Sequence, residues 1–305
     1  MARASLVNQV EMALKTLNMI GRSKKVRIAQ GKKLEGIYFG LTMKNYINRC
    51  CTFAKWCKEQ YGIKYLAEIT PDMGKAYFQY LMIKRLSVYS MLSIRSSLKK
   101  LEKGIKKTFH KSVHIIPKDL VLPKRSLANR QGRFAYTDDQ VKDILKNAYI
   151  IDPKAAKALE IQYLQGVRIF EVLNLRKQDI HFWRNMLVVY RGKGGRLREI
   201  PIDTQRAVEL LQILCYGKED KDLLFPGYNR RELERVMEKA CHEAGIDVHK
   251  THNLRHSYAV KRYENIRTNG ATDKEARQVV SQLLGHNRID VVNSYVPRDI
   301  RQREY

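Results

Sequence analysis

Residues 115–135, IIPKDLVLPKRSLANRQGRFA, interrupt the regular spacing of apolar residues on either side of them. The stretch holds two prolines and a basic, polar run without clear periodicity, as interdomain linkers do. Because 305 residues exceed what one hydrophobic core usually serves, the sequence predicts two domains. We place the first at 1–130, with its linker from about 115, and the second at 131–305.

Helical spacing dominates both domains. In the first, the patterns cover residues 5–20, 42–62, 70–85 and 87–109, with a basic polar stretch at 21–33. Thr70 and Ser87 stand where N-terminal caps are expected. The sequence therefore predicts a small, basic, all-helical first domain.

The second domain mixes helices with a short hairpin. Thr137 and Gln140 fit a capping box. Further helices are expected over roughly 137–148, 153–165 and 168–176, and again from about 204. Leu187–Tyr190 and Arg198–Ile202 read as two strands joined by a glycine-rich turn. The predicted fold class is mainly α with a small antiparallel β-sheet (α+β).

Charge points to the partner. The chain has 58 Lys and Arg against 31 Asp and Glu, a formal net of +27, and residues 1–130 alone hold 27 basic and 7 acidic side chains, a net of +20. Such a field suits a polyanion, because neutralised phosphates release condensed counterions. Double-stranded DNA is thus favoured over a merely soluble basic surface. A membrane surface is disfavoured, because no strongly apolar helix face accompanies the charge.

Compartment and redox class follow from what the sequence lacks. It has no run of about 18 apolar residues and no signal-peptide pattern at its start, so we expect a cytoplasmic protein without a membrane span. Five cysteines form no CxxC pair, so neither a disulfide framework nor a zinc site is expected. Buried small hydrophobes are the simpler interpretation.

Two basic residues stand in positions that suit anion binding. Arg168 and Glu171, three apart in an apolar helical stretch, predict a guanidinium held by a carboxylate or by a bound anion. A simple ion pair is an equal alternative. Lys193, in the predicted turn GKGG, could reach out from the sheet, although a solvated hairpin tip is common and the Walker pattern is absent.

The remaining candidates lie in the last sixty residues. His252 and Arg255 share one helix face, and His286 and Tyr295 follow. His252 and His256 have metal-ligand spacing, but Asn253 stands where a metalloprotease needs glutamate, so a metal is disfavoured.

Taken together, these side chains suit one reaction. Paired arginines can clamp a phosphate, a lysine and histidines can move protons, and a tyrosine among cations is a hydroxyl nucleophile. No carboxylate cluster is evident that would hold Mg²⁺, so the pattern predicts phosphoryl transfer without metal or other cofactor.

The order Arg…Lys…His-x-x-Arg…His…Tyr resembles that of the tyrosine recombinase (phage integrase) family. GVRIFEVLNL is similar to that family's first-arginine box, RGKGGRLREIPI to its hairpin lysine segment, HNLRHSYA to its second-arginine box, and LLGHNRIDVVNSYV to its tyrosine box. The four boxes cover about 160–296. The resemblance also implies a helical core-binding domain and a catalytic domain that form a C-shaped DNA clamp.

The resemblance assigns a role to each residue. It implies that Arg168 and Arg255 hold the scissile phosphate and that Tyr295 attacks it, giving a 3′-phosphotyrosyl link. It also implies that Lys193 protonates the leaving 5′ oxygen. His252 and His286 would assist, Glu171 would orient the site, and His256 would be structural.

The resemblance further implies a site-specific recombinase of a prokaryotic mobile element or plasmid. Such a protein, monomeric or weakly associated when free, acts as a homotetramer on two DNA sites through a Holliday junction, and accessory proteins are possible. Two departures stand out. The chain continues only briefly past Pro297, so a swapped C-terminal helix is in doubt, and the segment near 264–274 is long, predicting a loop or longer helix.

Alternatives remain open from the sequence. A type IB topoisomerase-like enzyme shares the chemistry, and a non-catalytic DNA-binding protein could retain the residues. Tyr258, Tyr263 and Tyr305 are rival nucleophiles, with core packing the expected role of Tyr258.

Overall fold

A computed structural model describes residues 4–123, 135–190, 197–286 and 288–303, without the side chain of Lys25. The chain divides into two compact units, Met1–Asn129 and Arg130–Tyr305. Each unit is described by itself below. The mainly helical class with a small antiparallel sheet, expected from the sequence, is confirmed.

The first unit is helical in its described part. Its helices are α1 Leu6–Lys15, α2 Lys24–Ala29, α3 Gly40–Tyr61, α4 Pro71–Ile83 and α5 Val88–Phe109. The caps predicted at Thr70 and Ser87 are confirmed, because each hydroxyl accepts a backbone N–H in the first turn of its helix. The apolar stripes of α1, α3 and α5 pack together around Phe53, Leu98 and Leu101.

The end of the first unit packs more tightly than a linker would. The backbone N–H groups of Ile115 and Ile116 donate to the Glu102 carboxylate at 2.6 and 2.9 Å, and Ile115 is fully buried. Leu120 and Leu122 pack on the same core. Residues 115–122, which the sequence placed in the linker, thus belong to this unit's packing. The rest of that stretch, 124–134, lies outside the described residues.

The second unit opens with α6 Asp138–Ile151 and α7 Pro153–Gln165. The Thr137–Gln140 capping box is confirmed. Later elements are α8 Ile169–Leu173, β1 Ile180–His181, β2 Met186–Val189, β3 Arg198–Pro201, α9 Gln205–Cys215, α10 Arg230–Glu243, α11 His252–Thr268, α12 Asp273–Leu283 and α13 Arg298–Arg301. The strands form an antiparallel sheet in the order β1-β2-β3.

Two apolar clusters stabilise the second unit. The larger joins α6, α7, α9 and α10 to the inner face of the sheet, through residues such as Leu159, Leu187 and Ile200. The smaller packs α11 and α12 against the six-residue 3₁₀ helix Ile289–Ser294 and its continuation, through Val292 and Val296. Tyr295 belongs to the smaller cluster, so its position depends on this packing.

The last described residues fold back on the same chain. Ile300 of α13 packs on the smaller cluster, and Arg303 Nη1 lies 2.9 Å from Glu264 Oε1 of α11. The long segment near 264–274 is an extension of α11 followed by a short turn into α12, the longer-helix alternative among the two expected.

Three local predictions differ from the structure. Helix α2 lies in the basic polar stretch 21–33, where no helix was predicted because the residues form no apolar stripe at helical spacing. Strand β1 is too short to show alternation. The helix expected over 168–176 is shorter, and Arg168 precedes it with an extended backbone. In the described parts of the chain, every helix is too short or too polar to cross a membrane.

Candidate active site

The α7–α8 connection positions the first arginine. Gly166 ends α7 in the left-handed conformation, at φ 59°. A Cβ at this position would lie 2.2 Å from Cδ1 of the Tyr258 ring. Only glycine allows both the turn and the close approach of α11. The turn therefore fixes the position of the Arg168 backbone relative to α11.

We expect Gly166→Ala to destabilise the protein by about 2–5 kcal/mol, since left-handed strain and overlap with the Tyr258 ring add together. Gly245→Ala is the matched control. Gly245 also has positive φ, but nothing lies within 4 Å of its added Cβ, so about 1–2 kcal/mol is expected. Urea unfolding of both variants measures the difference. Equal losses would show that the contact with Tyr258 contributes nothing.

Glu171 lies at the centre of a charged cluster. One carboxylate oxygen accepts from the Arg168 backbone N–H at 2.7 Å and the other from Arg168 Nη1 at 2.8 Å. Arg198 donates to both oxygens, at 2.9 and 2.6 Å. Burial alone would raise the pKa of Glu171, but the hydrogen bonds and charges of Arg198 and then Arg168 lower it to about 2. The carboxylate is therefore ionised at neutral pH.

Arg198 is the site residue that the sequence interpretation missed. It lies on β3, where it shares the inner face with Ile200 because side chains alternate along a strand. A charged residue in phase with buried apolar ones needs a partner. This alternation along β3 could have identified Arg198 from the sequence as a buried charge, although it could not identify Glu171 as the partner.

Arg255 on α11 is fully buried, with 0% of its surface exposed. Its Nη1 donates to the Gly166 carbonyl and its Nη2 to the Leu284 carbonyl. Burial lowers the pKa of Arg255 to about 10, which still leaves it protonated at neutral pH. Arg255 thus joins the α7–α8 turn to the end of α12.

The turn after α12 contacts both Arg168 and Arg255. The Leu284 carbonyl also accepts from Arg168 Nη2 at 3.3 Å, so the two guanidinium groups meet at one oxygen. Gly285 follows at φ 68°, and the next backbone N–H, of His286, donates to Ser281. This turn therefore places His286 two residues beyond the carbonyl that both arginines share.

Tyr295 lies against three histidines and Arg255. Its hydroxyl is 3.4 Å from His286 Nε2 and 3.5 Å from His252 Nε2. Arg255 Cζ is 5.7 Å from the centre of its ring. The hydroxyl thus faces two ring nitrogens that can exchange its proton.

His256 holds the face of the Tyr295 ring. The two rings stack at 4.5 Å between centroids and 26° between planes, while His256 meets His252 edge-on at 5.2 Å. His256 is buried, which is compatible with the structural role implied by the resemblance. The stacking shows what this structural role would be: His256 supports one face of the Tyr295 ring.

We expect His256→Ala to slow any reaction of Tyr295 by up to about tenfold, because a stacked aromatic pair contributes about 0.5–1.5 kcal/mol. His256→Phe keeps the stacking and should stay within about threefold of wild type. Single-turnover rates on a DNA substrate make the comparison. Equal losses in both variants would assign the effect to the polar atoms of His256 instead.

His252 is neutral at physiological pH. Although the residue is exposed, its ring is partly desolvated, and this effect, followed by the charges of Arg255 and Arg168, lowers its pKa to about 4. The neutral ring can accept a proton from a neighbouring hydroxyl.

The ring resonances of His252 should titrate near pH 4 by NMR, against about 6.5 for an unperturbed histidine. Because the folded state disfavours the charged ring, this residue favours folding above pH 6.5 and loses that contribution as the pH falls toward 4. His252→Gln assigns the resonance. A midpoint at or above 6.5 would contradict the electrostatic account of the site.

The rival tyrosines occupy other environments. Tyr258 packs in the core against Gly166, as expected. Tyr263 is fully buried and donates to Asp273 at 2.8 Å. Tyr305 and Lys193 both lie outside the described residues. Across the ranges that the structure describes, no group of three or more His, Cys, Asp or Glu is placed to hold a metal ion.

Apolar neighbours in the chain anchor Tyr295. Val292 and Val296 are fully buried and Val291 packs on the same cluster, whereas Ile289 is half-buried. The 3₁₀ helix ends at Ser294, so the buried apolar contacts of Val292 and Val296 lie on both sides of the tyrosine.

The chain has a helical unit followed by an α+β unit, and its arginines, histidines and tyrosine lie together beside α11. This combination of fold and site can be compared with known proteins. The model of the phage integrase family matches residues 135–301. The chain belongs to that family, and the resemblance inferred from its four boxes is confirmed.

Relatives of known name agree. The chain is 29% identical over 167 residues to tyrosine recombinase XerA of Pyrococcus horikoshii, covering 52% of this chain and 55% of the relative. It is 23% identical over 223 residues to tyrosine recombinase XerD of Haemophilus influenzae, covering 68% of this chain and 72% of the relative. The chain spans about half the length of most of the curated relatives it matches.

Solved structures share the fold along nearly the whole chain. A lambda integrase dimer bound to a COC′ core site matches with a TM-score of 0.69 and 18% identity, covering 99% of this chain and 98% of the other. The XerH recombinase in a post-cleavage complex with palindromic difH substrate matches at 0.67 and 17%, covering 96% and 93%. At such identity the likeness concerns the fold alone.

Proposed function

We propose that this protein is a site-specific DNA recombinase that cuts and rejoins strands through a 3′-phosphotyrosyl intermediate. The observation that carries the proposal is the Tyr295 hydroxyl, which faces His286 and His252 Nε2 beside Arg255. The family and the names of its relatives, recombinases and integrases, favour this activity over relaxation by a type IB topoisomerase-like enzyme.

The proposed reaction assigns each group one step. Arg168 and Arg255 hold the non-bridging oxygens of the phosphate, as the anchoring of both guanidinium groups at Leu284 allows. Tyr295 Oη bonds to phosphorus while the bond to the 5′ oxygen breaks. His252 or His286 receives the tyrosine proton, and Lys193, on sequence grounds, donates a proton to the leaving oxygen.

Energy balance and charge fit this scheme. The phosphotyrosine link conserves the energy of the phosphodiester, so attack by a second strand's 5′ hydroxyl reseals DNA without ATP or a metal ion. Buried Arg255 Nε has no hydrogen-bond partner among the described residues, which leaves it as a donor for phosphate. Such preorganised cations stabilise the charge of the transition state.

Double-stranded DNA is the proposed partner of both units. The +20 carried by residues 1–130 suits contacts with the DNA backbone, which position a protein without reading sequence. Strand exchange would use a homotetramer on two DNA sites, formed from free monomers or weak oligomers. We place it in a prokaryotic cytoplasm, on a mobile element or plasmid.

A plasmid assay tests the proposal. Plasmids carrying two copies of the DNA that flanks the gene should yield recombinant products, in chelator and without ATP. Relaxation of a plasmid that lacks any such DNA, with no recombinants, would instead establish the topoisomerase alternative. Unchanged biological effect after Tyr295→Phe and Arg168→Ala would establish a non-catalytic DNA-binding protein.

A further inference from the structure

Arg198 is paired with Glu171 through both of its Nη atoms. Both of its Nη atoms are bonded to Glu171, one to each carboxylate oxygen, and its side chain is only 6% exposed. The pair therefore has the bidentate geometry that holds a guanidinium and a carboxylate in one relative orientation. The Nε of Arg198 is buried without a hydrogen-bond partner among the described residues, but the two Nη atoms that would form a fork on a phosphate are both engaged by Glu171.

Glu171 is shared among three arginines. It accepts from Arg168 through both backbone and side chain, and Arg255 Nη1 lies 4.0 Å from its nearer oxygen. A carboxylate so close to the two proposed phosphate ligands is a competitor for them. In a buried environment it would pair with whichever cation is free.

Arg198 also fixes the turn that the other two arginines use. A Cβ added at Gly285 would lie 3.0 Å from Arg198 Cδ and 3.2 Å from Nη1, so the arginine packs directly on the Leu284–Gly285 turn. The Leu284 carbonyl of that turn accepts from Arg168 and Arg255. One side chain on β3 thus contacts both Glu171 and this turn.

We propose that Arg198 is a positioning residue that occupies Glu171 and so keeps Arg168 and Arg255 available for the scissile phosphate. The expected effect of Arg198 on DNA cleavage rests on the proposed function. Its expected effect on phosphate binding does not. It acts through Glu171: with Arg198 present, the carboxylate orients Arg168, and without it, the carboxylate draws Arg168 and Arg255 toward itself.

The first test removes the charge of Arg198. Arg198→Met keeps an unbranched side chain, and we expect it to slow single-turnover cleavage by about 100-fold, as a small misplacement of binding groups does. Affinity for inorganic phosphate, followed through the NMR shifts of the His252 and His286 rings, should fall by at least about tenfold. Arg198→Lys, which keeps the charge but not the fork, should lie between Arg198→Met and wild type.

The decisive test is rescue. Glu171→Gln added to Arg198→Met removes the uncompensated carboxylate, so cleavage and phosphate affinity should both recover by about tenfold over Arg198→Met alone. Glu160→Gln added to Arg198→Met removes a buried carboxylate elsewhere and should restore nothing. Arg206→Met is the control for lost stability: it breaks a similar two-pronged pair, between Arg206 and Glu160, away from the site.

The outcomes separate the two claims. No recovery in the Arg198→Met/Glu171→Gln protein, or phosphate binding by Arg198→Met equal to wild type, would overturn the positioning role. Wild-type protein that binds phosphate in this pattern but never cleaves DNA would overturn the proposed function and leave the role of Arg198 as an organiser of an anion site.

Discussion

Tyr295→Phe should abolish covalent attachment to DNA and slow strand cleavage by at least about 10⁴-fold, as loss of a nucleophile does. The ring would still stack on His256 and pack with Val292 and Val296, because phenylalanine differs only by the hydroxyl. We therefore expect normal folding and DNA affinity within about threefold of wild type, since backbone contacts dominate binding.

Tyr258→Phe is the matched control for this change. Tyr258 is buried near the site on α11, and we expect its variant to keep forming the adduct. Denaturing gels that separate free DNA from protein-linked DNA measure both variants. Adduct formation by Tyr295→Phe, or its loss in Tyr258→Phe alone, would assign the nucleophile to another residue.

Arg255→Lys should slow cleavage by about 10²–10³-fold, the usual effect of losing an aligned donor to the transition state. Arg255 bonds two carbonyls on different segments at once, Gly166 and Leu284. A lysine ammonium has no planar fork and cannot keep both contacts while facing a phosphate. The reaction should therefore suffer far more than DNA binding.

Arg262→Lys provides the matched control on the same helix. Arg262 is ion-paired with Asp203 and lies two turns beyond Arg255. The same substitution there should leave cleavage within about threefold of wild type, as for an ordinary ion pair. Single-turnover cleavage by Arg255→Lys at a rate equal to Arg262→Lys would contradict the phosphate-clamp role.

Local signals in the sequence predicted local structure well. The caps at Thr70, Ser87 and Thr137 depend on a few adjacent residues, and each forms as expected. Helix α2 and strand β1 were not predicted, since neither carries a periodic apolar pattern. The order of the arginine, lysine, histidine and tyrosine boxes along the chain was sufficient to identify the family.

Contacts between distant segments were beyond the sequence. The Arg198–Glu171 pair joins residues 27 apart, and Arg255 meets Gly166 across 89. Arg168 was expected within a helix, but the left-handed Gly166 turn places it before α8. The stacking of His256 on Tyr295 likewise depends on how α11 meets the segment after α12. Such pairings follow from tertiary packing rather than spacing.

In the proposed reaction, Tyr295 Oη is the atom that takes the phosphate. Wild-type protein should be trapped on a nicked DNA substrate of its own site, in the presence of a chelator, digested, and mapped by mass spectrometry. We expect a nucleotide linked to the peptide that contains Tyr295, with a free 5′ hydroxyl on the released strand. A nucleotide on any other residue, or cleavage that requires a metal ion and leaves no covalent link, would contradict it.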